Sequence, residues 1–463
     1  MEIPFVGGSY NLASPNVSAQ ETINLFLEKN KSGKTPVAMY GTPGLNLKVT
    51  AGNGPIRAMR VMGSLLYVLS GDTLYSIDTG WIAASLGTVS SSDDGDVPAS
   101  MDDNGTQLVI LIPSEGKAYV YTVAGGLAVV SDADWVASDT VTFMDTYFIF
   151  SRTGSKQFHI SATGDGTSYN ALEFASAEAH PDLLVAVMSI QDRLWLFCEH
   201  SIEQWQDTGN ATFPFEKIIG GTIERGCAAA GSIAEMDNTV FWLGDDGLVY
   251  RAGLVPERIS THGVETAISG YSKMSDARGY TYAQGGHTFY VLTFPAADVT
   301  WCYDVATQEW HKRQSAGFGR HRGANSVLFN NKPVVGDFQN GKVYVFDLEK
   351  YTDDGDVITR TRITSPISSE NDRLFMSRLQ IDFQSGVGLI SGQGSDPQCM
   401  LSWSDDGGHT YGNEHWRSMG KIGEYSSRAI WRRLGRFRQR TFKLTITDPV
   451  KVVIIGAQAD IQR

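Results

Sequence analysis

The sequence predicts an all-β protein, a β-propeller of about seven blades followed by a C-terminal β-sandwich or jelly-roll-like domain. Three observations carry this. Between about Ile56 and Leu348 one phrase recurs seven times: a short β-rich run, a polar turn, and a second run ending in Tyr, Trp or Phe. IRAMRVMGSLLYVLSGDTLYSIDT and VAVMSIQDRLWLFCEHSIEQWQDT are two of the copies. Corresponding apolar positions, Leu66, Val109, Phe148, Trp195, Phe241, Phe289 and Val334, follow one another at roughly 40 to 48 residues, the length of one four-stranded blade. Finally, 49 glycines and 18 tyrosines favour short strands joined by tight turns, and helix signals are nearly absent.

A single blade cannot bury both faces of its sheet, so the copies must stack around an axis. Six or eight blades are also compatible with the pattern, because the third copy is irregular and an N-terminal strand can be shared. Three regions follow. Residues 1–50 hold no repeat; their turn chemistry lies in Ser14-Pro15-Asn16 and Gly41-Thr42-Pro43-Gly44. Between these, residues 22–28 alternate as one extended strand, of the kind that completes a last blade and closes a ring or contacts a neighbour. Residues 51–350 form the propeller. Residues 351–463 read as a separate β domain, in which Leu379, Ile381 and Phe383 share one strand face and Phe442, Leu444 and Ile446 share another.

Composition narrows the function classes. The net charge of −13 argues against a protein whose main task is to grip nucleic acid, since phosphate neutralisation needs a basic surface. The acidic runs Ser91-Ser92-Asp93-Asp94-Gly95-Asp96 and Asp353-Asp354-Gly355-Asp356 lack the ligand spacing and terminal Glu of an EF-hand and read as solvated turns. Cys198, Cys227, Cys302 and Cys399 stand far apart, with no CxxC pair, and read as free, mostly buried thiols of a reducing compartment. No apolar run reaches the roughly 18 residues needed to cross a bilayer, and the N-terminus lacks the basic-then-apolar layout of a secretion signal.

Catalytic signals are thin. Residues 404–411, SDDGGHTY, look like an Asp box, the hairpin motif repeated in sialidase propellers. It occurs once, outside the repeats, and no arginine cluster or Tyr–Glu pair is nominated by spacing, so a structural turn is the favoured reading over a propeller glycan hydrolase of sialidase type. The nine histidines are scattered, and His409 and His415 have no metal-binding helix around them. GxSxG, HExxH and GxxxxGK[ST] are all missing. No catalytic, cofactor-binding or metal residue is nominated, and no cofactor is expected.

The second informative stretch is 428–440, RAIWRRLGRFRQR. In an extended strand Arg432, Arg436, Arg438 and Arg440 fall on one face, provided no bulge shifts the register. Such a stripe on an acidic protein can meet nucleic-acid phosphate, dock on an acidic surface of a neighbouring subunit, or stand as a solvated face. The guanidinium fork suits carboxylate pairing across a protein interface, which makes Arg432, Arg433, Arg436, Arg438 and Arg440 candidate contacts to a subunit or adaptor.

Three stretches together resemble the packaged-DNA stabilisation, or tail hub (nozzle), proteins of short-tailed bacteriophages. The first runs from Ser9-Tyr10-Asn11 through residues 24–28 to Gly41-Thr42-Pro43-Gly44-Leu45. The second spans residues 174–182, with Ser201-Ile202-Glu203-Gln204-Trp205 and Arg225-Gly226-Cys227, and the third runs from Trp403-Ser404-Asp405-Asp406-Gly407 through residues 431–436 to Phe442-Lys443-Leu444. The similarity keeps its order over nearly the whole chain. It implies a non-enzymatic virion protein assembled in the host cytoplasm, a ring of six subunits below the portal and its adaptor. Such a ring extends the DNA channel, retains the packaged genome without sequence-specific binding, and anchors tailspikes or fibres, in some members with a needle or plug. No membrane insertion is implied.

Overall fold

The computed structural model describes residues 2–462 apart from 31–34, 91–93, 211, 254 and 371. Seven antiparallel four-stranded blades follow one another from Ile56 to Asp347. Each of the seven repeat positions lies on the second strand of its own blade, from Leu66 in Leu65–Ser70 to Val334 in Lys332–Asp337, and none is more than 2% exposed. The reason is steric. The second strand has neighbours on both sides in its sheet and a blade against each face, so only an apolar side chain fits there, and burying each contributes about 1.5–3 kcal/mol.

The blades are joined by apolar seams between neighbours. Leu69 and Leu108 share the seam of blades one and two, Phe148 and Val109 that of two and three, and Ile149 and Leu196 that of three and four. Trp195 and Trp242 join blades four and five, Phe241 and Tyr290 five and six, and Tyr282 and Phe346 six and seven. Leu66 and Val334 meet across blades one and seven, which closes the ring.

Blade seven borrows its outermost strand from the N-terminal region: Gly44–Thr50 pairs antiparallel with Lys342–Asp347. The ring-closing strand is therefore this one. Residues 22–28, expected as a single extended strand, are broken at Asn24, which sits in the left-handed region at φ 56°. Asn tolerates that conformation, and its amide holds the break in place. Nδ2 donates to the carbonyls of Gln314 (2.8 Å) and Thr359 (2.9 Å), and Oδ1 accepts from the Gln314 N–H at 3.0 Å. The two halves enter different sheets. Ala19–Ile23 lies between Glu309–Arg313, the outer strand of blade six, and Arg360–Ile363. Leu25–Lys29 pairs with Val37–Gly41, which pairs with Val453–Gln462.

The C-terminal part is a β-sandwich built on those two sheets. One runs Leu25–Lys29, Val37–Gly41, Val453–Gln462, Leu374–Phe383, Ala429–Phe437; the other continues blade six through Ala19–Ile23 to Arg360–Ile363, Gln439–Ile446, Gln398–Ser404 and His415–Ser418. Leu379, Ile381 and Phe383 face Phe442, Leu444 and Ile446 across the core, together with Ile3, Phe5, Leu25 and Met39 from the N-terminal region. Residues 2–50 thus divide between the two bodies. Thr352–Asp353 also pairs with Gly44–Thr50, so the chain leaves blade seven only after Val357.

The acidic turns differ from the solvated reading. Asp353 is buried and accepts from Ser315 Oγ at 2.8 Å, and Asp354 pairs with Lys342. Ser91, Ser92 and Asp93 lie outside the described residues. Asp94 is bound by Arg57 at 2.6 Å, Arg278 Nη2 donates to the Gly95 carbonyl at 3.1 Å, and Asp96 pairs with Lys273. This connection from blade one to blade two reaches the entry of blade six, and Pro98 lies against Gly231 at the entry of blade five, so it spans the axial mouth on that face.

Candidate functional site

The arginine-rich strand Ala429–Phe437 is the edge of its sheet, four strands from Leu25–Lys29, the strand nearest blade six. It carries a bulge: three steps from Arg432 to Gly435 oppose two from Arg378 to Met376, with Arg433 at φ 63° and Gly435 at φ 77°. The extra residue keeps Trp431, Leu434 and Phe437 in the core and leaves Arg432, Arg433 and Arg436 exposed on either side of the shift. Arg438, in the bend after the strand, is also exposed. None of these four makes an ion pair among the described residues, and Arg432 stands directly across from Arg378, whose own partner is Asp460 at 3.0 Å.

Arg440 is the exception and corrects the single-face reading. The chain crosses from one sheet to the other at Arg438, so Arg440 is the second residue of Gln439–Ile446, a strand of the opposite sheet, and points inward. Its guanidinium makes a bidentate pair with Asp405 (2.6 and 2.7 Å), donates through Nη1 to the Leu434 carbonyl (2.6 Å), and lies 4.3 Å from the centroid of Phe437 and 5.2 Å from that of Trp403. It is 2% exposed and holds a corner of the sandwich; it does not present a contact surface.

The residues around Asp405 also settle the role of the Asp-box stretch. Asp406 accepts from the backbone N–H groups of His409 (3.0 Å) and Thr410 (3.0 Å) and from the hydroxyls of Ser404 and Thr410 at 2.5 Å, contacts that hold its carboxyl below the usual range. Ser404 Oγ accepts from the Gly408 N–H at 2.8 Å. Gly407 stands at φ 83°, and a Cβ there would overlap Asn16 Oδ1. Ser404, Asp406 and Thr410 are thus engaged within the turn, and Asp405 with Arg440. His415 stacks on Trp403 and is far from a ligand set; among the described residues no three His, Cys, Asp or Glu side chains gather as a metal site. The four cysteines are buried free thiols, and burial pushes Cys198, Cys227 and Cys399 up to about 12.

A second polar constellation, which sequence reasoning did not find, lies at the seam between propeller and sandwich. His287 of blade six places Nδ1 2.8 Å from Asp304 and Nε2 2.8 Å from Glu28. With a carboxylate on each nitrogen the ring is held doubly protonated, its pKa raised to about 9, mainly by the hydrogen bond to Asp304. Lys312 pairs with Glu21 at 2.6 Å. Arg362, fully buried, donates Nε to the Phe5 carbonyl (2.8 Å), Nη1 to the Gly8 carbonyl (2.8 Å) and Thr22 Oγ1 (2.9 Å), and Nη2 to Gln20 Oε1 (2.9 Å). No carboxylate touches it, and burial pulls it down to about 9. The seam is a polar joint in which His287, Lys312 and Arg362 tie propeller strands to the sandwich and the N-terminal region.

Residues 1–351 match the family model described as bacteriophage P22 Gp10, beta-propeller, and residues 359–462 match that described as bacteriophage P22 Gp10, beta-sandwich. Among solved structures the chain is similar to a streptogramin B lyase (12% identical, TM-score 0.41, covering 70% of this chain and 98% of that one). It is also similar to the Pan2 WD40 domain of Neurospora crassa (8%, 0.44, 66% and 96%) and to the N-terminal domain of Nup159 (7%, 0.43, 71% and 99%). A comparison with curated proteins finds no match. The chain belongs to the Gp10 family of packaged-DNA stabilisation, or tail hub, proteins and is a structural protein of the phage tail.

Proposed function

We propose that this member of the Gp10 family forms a ring, of six copies, below the portal and its adaptor, and that the ring extends the DNA channel, retains the packaged genome and anchors tailspikes or fibres. The ring is assembled in the host cytoplasm and can carry a needle or plug. The observation that carries this reading, beside the family, is the distal edge of the sandwich, where Arg432, Arg433, Arg436 and Arg438 are exposed with no ion pair among the described residues. Four uncompensated cations on a chain of net charge −13 suit an acidic protein surface as their partner. The overall acidity fits passage of DNA without adhesion, because six such chains around a channel repel phosphate and let the genome slide. The role needs no catalysis, and the engagement of Ser404, Asp405, Asp406 and Thr410 within the fold supports a structural turn over a glycan hydrolase site.

The test is replacement of Arg436 and Arg438 with Glu. Both are exposed, so the propeller and sandwich keep their melting behaviour. Ring formation or adaptor docking, measured by sedimentation with the adaptor protein, weakens, and particles assembled with the variant package DNA and then leak it. Normal, DNA-retaining, infectious particles would overturn the proposal. Release of reducing sugar from host glycans by the purified protein, abolished by one carboxylate substitution, would overturn the non-catalytic part.

A further inference from the structure

Charge is divided between the two bodies of this chain. Residues 359–462 hold 14 Lys and Arg against 10 Asp and Glu, a net +4, whereas residues 1–351 hold 23 against 38, a net −15. Within the propeller the excess is concentrated in blades three to five, where residues 138–260 hold 17 acidic against 7 basic side chains. Strand direction then sorts the turns. In an up-and-down blade the turns joining strands one to two and three to four all lie on one face of the ring. In blades three to five that face carries exposed Asp145, Asp192 and Asp237, with Asp165 and Asp207 half-buried beside them. Asp145, Asp192 and Asp237 make no ion pair among the described residues.

The basic edge and the acidic face are set apart within one chain. The sandwich is attached through blade six, where Ala19–Ile23 bridges Glu309–Arg313 and Arg360–Ile363, and its arginine edge is the strand most removed from that attachment. Blades three and four lie across the ring from blades six and seven, to whose strands the sandwich is joined, whereas blade five adjoins blade six. Two different complementary surfaces on one molecule make a heterologous contact between copies, which closes as a ring or runs on as a filament.

We infer that the arginine edge of one subunit's sandwich docks on the acidic turn face of blades three to five of a second copy of this chain. This rests on the ring reading above and adds to it the receiving surface and the head-to-tail sense of the contact. Asp145 and Asp237 stand at φ 47° and 58°, where a bulky replacement would strain the turn, so the test leaves them alone. Asp192→Lys with Asp207→Lys reverses the face; Arg432→Glu with Arg436→Glu reverses the edge.

The full-length chain is followed by mass photometry and sedimentation with the purified adaptor present. Each double variant alone associates at least tenfold more weakly than the wild type. An equimolar mixture of the two regains association, because each then offers the other one reversed and one native surface. Higher salt weakens the wild-type contact and the restored one alike. If the face variant associates as the wild type does while the edge variant fails, the edge docks elsewhere and the inference is overturned, with the ring reading intact. Failure of the mixture to associate, with both variants folded by circular dichroism, overturns it also. A wild type that stays monomeric with its adaptor overturns the ring reading itself.

Discussion

Replacing His287 with Gln takes the positive charge out of the seam between blade six and the sandwich. In the wild type the ring is 7% exposed and contacts Asp304, 1% exposed, and Glu28, 40% exposed. A rise of its pKa from 6.5 to about 9 corresponds to about 3 kcal/mol at roughly 1.4 kcal/mol per unit. Discounting the solvent-screened Glu28 share leaves about 2–3 kcal/mol. Because the folded pKa is the higher one, this stabilisation is complete below pH 6.5 and fades as the pH climbs through 9. Asp304 keeps the Ala306 N–H (2.9 Å) and Thr307 Oγ1 (2.7 Å) as donors in the variant, so the fold survives. Urea unfolding, followed by tryptophan fluorescence from pH 6 to 10, reads the difference directly. The variant should be about 2–3 kcal/mol weaker at pH 6 and should converge on the wild type by about pH 10. A difference that does not change with pH would mean that His287 is neutral in the fold, and the account of the seam would fall.

Arg440→Ala should destabilise the sandwich by about 3 kcal/mol, because Asp405 and the Leu434 carbonyl lose their buried donor, whereas the exposed pair Arg436→Glu and Arg438→Glu should leave thermal melting unchanged. Leu379→Ala, in the sandwich core, should cost about 2–5 kcal/mol in chemical denaturation. Asn24→Ala removes three hydrogen bonds and the residue suited to a left-handed backbone; a loss of about 2–3 kcal/mol, with faster proteolysis between propeller and sandwich, is the expected outcome. The buried, up-shifted thiols should resist a water-soluble disulfide reagent at pH 8 until denaturant is added, and prompt labelling of any of them in the native protein would contradict their burial.

The parts of the structure legible in the sequence are those whose cause is local or periodic. The seven repeat positions announce themselves because each second strand has the same two-sided burial, and the alternation in residues 379–383 and 442–446 does the same for the sandwich. The errors arise where distant residues decide. Residues 22–28 alternate like one strand, yet the break at Asn24 is fixed by Gln314 and Thr359, 290 and 335 positions away. Arg440 reads as one more member of a stripe until the crossing at Arg438 turns it inward. The seam arginine Arg362 has partners at Phe5 and Gly8, more than 350 residues distant, and nothing near it in sequence signals them. The exposed arginines themselves were visible; the bulge that arranges them depends on the register with Leu374–Phe383.

The placement of the first fifty residues has a consequence for how the chain comes into being. Synthesis delivers these residues first, but Gly44–Thr50 has no partner until Lys342–Asp347 is made, and Val37–Gly41 waits for Val453–Gln462. The propeller therefore closes only late in synthesis and the sandwich later still, and Gly44–Thr50 stays without a sheet partner through most of translation. Contacts of this sequence separation fold slowly and leave strand edges open to wrong partners meanwhile. The same arrangement works as a quality check: a polypeptide truncated before its last strand has an unsealed blade or an unfinished sandwich, and has no sound surface to offer a neighbour. Only complete copies would then be fit to enter an assembly.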